Sequence, residues 1–93
     1  MKHSTEKKVY VFFNCDEEKT QKSMNIFYNK TVYNDTKKAR KELLAKVEEE
    51  VAAGRVNIAE GKKDSVDKSI LEGDPTRAGR YLQYATIKAF NFI

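Results

Sequence analysis

The spacing between hydrophobic and polar positions changes along this chain, and each change marks an element. From Lys8 to Asn14 the run KVYVFFN places Val9, Val11 and Phe13 on one side and Tyr10 and Phe12 on the other. β-Branched and aromatic residues on both sides predict a buried strand over 8–14. The polar stretch CDEEKTQKS leads to MNIFY, where Met24, Ile26 and Tyr28 share a side, and TVY follows at 31–33. Strands are predicted at 24–28 and 31–33, with Asn29 and Lys30 as a two-residue hairpin turn, because asparagine tolerates positive φ.

The period then lengthens. Ala39, Leu43, Val47 and Val51 recur every four residues with Leu44 beside them, preceded by the cap-type residues Asn34, Asp35 and Thr36. This spacing predicts an amphipathic helix over 35–53, ended by Gly54 in a left-handed conformation. Val56 and Ile58 flank Asn57 as in a short strand. Asp64 or Ser65 suits the cap of a helix over 65–72 that carries Val66, Ile70 and Leu71 and ends at Gly73. Asp74 and Pro75 then open a helix over 75–83, proline being favoured at the first helical position. In the tail IKAFNFI, Phe90 and Phe92 alternate with polar residues, which predicts a strand over 85–92. The alternatives for this last part are one helix throughout or one long strand from near Arg80.

This order predicts a small α+β two-layer domain. Its largely antiparallel sheet is covered by the long helix, and the last strand lies beside the first. At 93 residues the chain is shorter than the usual domain, so 1–93 is read as a single domain with 1–6 as a mobile tail.

Composition narrows the function classes. Hydrophobic residues make up 40% of the chain, and it contains only 4 Gly and 1 Pro, which excludes a disordered or fibrous protein. No apolar run is long enough for a membrane span, and the N-terminus lacks the features of a signal peptide, so a soluble cytoplasmic protein is expected. Cys15 is the only cysteine, which excludes an intramolecular disulfide or an all-cysteine metal site, and with His3 the only histidine the commonest general base and metal ligand is almost absent. Cys15 precedes Asp16, Glu17 and Glu18, whose charges suppress a thiolate. Phosphate-binding glycine motifs are missing. The expectation is therefore no enzyme, no cofactor and no metal.

Charge adds a second possibility. Eighteen Lys and Arg against 14 Asp and Glu give a net charge of +4. Lys37, Lys38, Arg40 and Lys41 crowd the start of the main helix while Glu48, Glu49 and Glu50 crowd its end, an order that opposes the helix dipole. Together with Arg77 and Arg80 in DPTRAGR, the four basic residues form a candidate anion or nucleic-acid patch. VYVFFN is similar to a ribonucleoprotein motif of RNA-recognition domains, but no glycine–aromatic second motif follows, and no family is assigned. With ten aromatics in a small domain, an uncovered sheet face displaying Tyr and Phe is expected to serve a protein partner or self-association. The expected function is therefore a non-enzymatic regulatory or binding module acting on a protein, with weak-specificity nucleic-acid binding through the basic patch as the alternative.

Overall fold

The computed structural model describes residues 7–14 and 29–92. The elements, in chain order, are β1 (Lys7–Asn14), β2 (Asn29–Asn34), α1 (Lys37–Ala52), β3 (Asn57–Ile58), α2 (Lys63–Leu71), α3 (Pro75–Gly79), β4 (Leu82–Gln83) and β5 (Ala85–Phe92). The expected α+β class is what the chain adopts. The expected strand at 24–28, the tail 1–6 and Cys15 lie outside the described residues.

β1 is the centre of a three-stranded antiparallel sheet of order β2-β1-β5, so the last strand does lie beside the first. Asn29 and Lys30 are strand residues rather than a hairpin turn. They pair with Asn14 and Phe13, because the partner of TVY is β1 and the ladder runs back to the end of that strand. β3 and β4 form a separate two-stranded ribbon in which Ile58 faces Leu82.

One face of the larger sheet carries the core. Tyr10, Phe12, Ala85 and Ile87 pack with Leu43 and Val47 of α1, Val66 and Ile70 of α2, Ala78 of α3, and Val56. Phe12, opposite Thr31 on one side and Ile87 on the other, is fully buried at the middle of this layer. Burying such rings and branched side chains contributes about 1.5 to 3 kcal/mol each.

α1 begins where the cap-type residues predict. The Thr36 hydroxyl accepts the Ala39 N–H at 3.0 Å, and Gly54 follows the helix at φ 81. A four-residue repeat overshoots the helical turn by about 40° per step, so the apolar stripe rotates away from the core. Ala39, Leu43 and Val47 are buried, Val51 is only half-buried, and Glu50 takes the inward position near the helix end.

Two boundaries in the last third differ from the sequence expectation. α2 starts at Lys63 with Lys62 as cap and no side-chain cap bond, earlier than Asp64 or Ser65 would place it. α3 opens as expected, with the Asp74 carboxylate accepting the Thr76 N–H at 3.0 Å, but it ends at Gly79 rather than at residue 83. Residues 82–83 are drawn off to pair with β3, and the Tyr81 carbonyl accepts the Ala59 N–H at 2.8 Å. Tyr84, at φ 70, turns the chain between the small ribbon and β5, so no strand runs unbroken from Arg80.

Candidate functional site

The residues of the predicted basic patch part company in the fold. Lys37, Lys38 and Lys41 are exposed on the first turns of α1, and no ion pair engages them. Arg40 turns inward. Its guanidinium donates to the Asp35 carboxylate at 2.9 Å, to the Gly73 carbonyl at 2.7 Å and to the Ile70 carbonyl at 3.3 Å. It also lies 5.5 Å from the centroid of the Tyr10 ring. These bonds close the carbonyl end of α2 and lock it to α1, so the donors of Arg40 are already engaged. Burial pushes the Tyr10 hydroxyl above its ordinary pKa, with the Asp35 charge acting in the same direction.

Arg77 and Arg80 are exposed at α3. Arg77 borders an open cleft at the α2–α3 junction with Lys68, Ser69, Glu72, Gly73 and Asp74. Two carboxylates balance the two cations there, and Asp74 is already occupied as a helix cap. The Thr76 hydrogen bonds hold its carboxyl below the ordinary value.

The acidic end of α1 has a structural explanation that the sequence did not supply. Arg55 grips Glu50 with two bonds, at 2.7 and 2.9 Å, and the Asn14 amide donates to the same carboxylate at 2.7 Å. Lys46 lies 3.4 Å from it. Lys63 on α2 pairs with Glu48 at 3.0 Å and with Asp67 at 2.7 Å. The glutamates thus tie α1 to β1, to the loop after α1 and to α2, while the lysines at the other end of the helix have no such partners.

The opposite face of the sheet is arranged differently. Alternation in the two ladders places nine side chains in three rows across β2, β1 and β5. The first row is Lys30, Phe13 and Thr86, the second Val32, Val11 and Lys88, and the third Asn34, Val9 and Phe90. Val32 is 59% exposed and Phe90 49% exposed, the large apolar residues most open to solvent among those described. Val11, at the centre of the three rows, is buried at 7%, and Val9 and Phe13 beside it are partly buried, so the exposed apolar groups of this face stand on its edge strands. Lys30 and Lys88 are exposed and make no ion pair, and among the described residues no carboxylate shares the face.

Sequence reasoning expected an exposed Tyr and Phe surface. Tyr10 and Tyr33 instead face each other on the core side, and the outer face is built from valines, phenylalanines and lysines. The legible signal was in β5, where Ala85, Ile87 and Ala89 alternate with Thr86, Lys88 and Phe90. The small and aliphatic set fits under helices, and the larger mixed set does not.

Chemically, this face offers apolar contact bordered by two cations. Among the described residues no cluster of His, Cys, Asp or Glu is placed to hold a metal ion, and no helix is long and apolar enough to cross a membrane. Comparison of the chain with protein-family models, with curated proteins and with solved structures finds no match.

Proposed function

We propose that this protein is a non-enzymatic binding or regulatory module of the cytoplasm that engages a protein partner through the outer face of its three-stranded sheet. One observation carries the reading: Val32 and Phe90, on the two edge strands, are both about half exposed on the same face, with the partly buried Val9 of the central strand between them. Exposed apolar groups gathered on one face of a small domain are a mark of a partner-binding surface. The anchors of such a surface contribute more to affinity than its surrounding charges.

The test is peptide selection against immobilised protein. Peptides enriched on the wild type should lose binding to a Val32→Asp, Phe90→Ser double variant. They should keep it with a Lys37→Glu, Lys38→Glu, Lys41→Glu triple variant. The opposite pattern overturns the assignment of this face.

A second reading, weak-specificity nucleic-acid binding, is favoured by one observation: Lys37, Lys38 and Lys41 stand exposed and unpaired at the positive end of α1. It predicts binding of labelled single-stranded RNA that falls steeply between about 50 and 200 mM salt. The triple lysine variant would abolish that binding.

A further inference from the structure

We infer that the partner taken by this face is an acidic, extended protein segment, one that sets aliphatic side chains on Val32, Val9 and Phe90 and carboxylates on Lys30 and Lys88. The inference rests on the reading of the outer face as a protein-docking surface and adds the chemistry of what docks there.

Three properties of the face lead to that occupant. The first is charge. Lys30 and Lys88 lie at opposite edges of the face, one on β2 and one on β5, both exposed and without an ion pair, and among the described residues no carboxylate shares the face. Strands about 4.8 Å apart and a rise of about 3.4 Å per residue put their Cα atoms roughly 12 Å apart. An apolar interface bordered by two unanswered cations selects a partner that brings the anions, and it repels a basic one.

The second is size. Three strands and three rows of residues cover roughly 14 by 20 Å, or about 300 Å². A stable folded interface takes about 800 Å² from each partner, so this face suits a short segment and is too small for a dimer. Self-association is disfavoured on charge as well, because stacking two copies face to face would bring four lysines together around a dry centre.

The third is the kind of apolar group. Surfaces that take single-stranded nucleic acid present flat rings on which bases stack. The aliphatic groups this face presents are Val32 and part of Val9, which have no π-face, and Phe90 is the one exposed ring among the described residues. Branched aliphatic groups pack best against other aliphatic groups, so the anions Lys30 and Lys88 await are carboxylates on a peptide rather than phosphates on a nucleic acid.

The experiment uses fluorescence anisotropy with three labelled probes: a short peptide alternating glutamate with valine, its lysine–valine counterpart, and single-stranded oligo-uridine. Each is titrated with the full chain at about 50 and 200 mM salt, the range over which exposed charge pairs are screened. The glutamate peptide should bind, weaken with salt, and lose about tenfold in affinity to a Lys30→Glu, Lys88→Glu variant. That variant should in turn gain affinity for the lysine peptide. Lys30, Lys88 and Val32, the positions altered in these tests, are exposed, and circular dichroism of each variant checks that the fold is kept.

Equal binding of both peptides that is lost with Val32→Asp but not with the lysine reversals would overturn the acidic partner and leave the docking face standing. Binding of oligo-uridine alone, dependent on Lys30 and Lys88, would overturn both. No binding of either peptide up to about 1 mM, the limit of weak association, would also overturn both. A concentration-dependent dimer abolished by Val32→Asp would identify a second copy as the occupant and remove the acidic segment.

Discussion

The Cα of Gly79 in α3 lies so close to the backbone of Ile87 in β5 that a Cβ built on it would sit 2.7 Å from the Ile87 nitrogen and 3.3 Å from its carbonyl oxygen. Glycine inside a helix ordinarily costs about 1 kcal/mol relative to alanine. Here the missing methyl is what lets the helix rest on the strand. Both opposing atoms belong to the backbone of a strand held by β1, so they cannot turn aside as a side-chain tip would.

Gly79→Ala is therefore expected to destabilise the protein by about 1 to 3 kcal/mol, the cost of overpacking outweighing the gain in helix propensity. Gly73→Ala is the control, since its new Cβ would meet nothing closer than 3.5 Å. It should change stability by less than about 0.5 kcal/mol. Urea unfolding followed by circular dichroism measures both, and an unchanged midpoint for Gly79→Ala would contradict the close approach.

Glu50 predicts a pH dependence. The Arg55 hydrogen bonds hold its carboxyl below the ordinary value of 4.5, burial opposes them, and the charges of Arg55 and Lys46 add to the lowering. A carboxylate depressed in the folded state stabilises fully above its unfolded pKa, and the contribution is lost as pH falls through that value toward the folded one. The urea midpoint of the wild type should drop as pH falls below about 4.5, and that of Glu50→Gln should drop less over the same window. Asp74, also lowered, leaves a residual slope in the variant. At neutral pH, Glu50→Gln should cost about 2 to 3 kcal/mol, because a buried anion that gathers Arg55, Lys46 and Asn14 is removed from among them.

Arg40→Lys tests whether the planar guanidinium matters as a clamp. A single ammonium cannot reach Asp35 and the carbonyls of Gly73 and Ile70 together, as Arg40 does. A loss of about 1 to 2 kcal/mol is expected in urea unfolding, with hydrogen exchange at the end of α2 rising more than in β1. Uniform acceleration across the protein would show that the bonds do not specifically hold the α1–α2 junction.

Val32→Thr and Phe90→Ser should cost little thermal stability, about 0.5 kcal/mol for Val32→Thr and about 1 kcal/mol for Phe90→Ser, because both side chains are about half exposed and lie outside the core cluster. A loss above about 2 kcal/mol in either would mean the side chain is structural and would withdraw it from the docking face.

Much of the architecture was legible because local chemistry and tertiary fold agree. Thr36, Gly54, Asp74 and Pro75 mark helix ends through bonds and dihedrals that act within a few residues, and they stand where the sequence placed them. The alternation in β1 separated its two faces correctly. Ladder partners were harder to read. Asn29 and Lys30 have turn chemistry, but pairing with β1 overrides it, and β3 draws Leu82 and Gln83 out of the expected helix.

The candidate site divides along the same line. The sequence by itself determined the supply of charge, the alternation of large and small residues in β5, and the single cysteine and single histidine. Only the tertiary structure decided that Arg40 would be consumed by the end of α2, that Glu50 would turn inward, and that Lys30 and Lys88 would share a face with Val32 and Phe90. The physical reason is that helix periodicity and capping are set by neighbours a turn away, whereas the company a side chain keeps depends on strands and helices brought together from opposite ends of the chain.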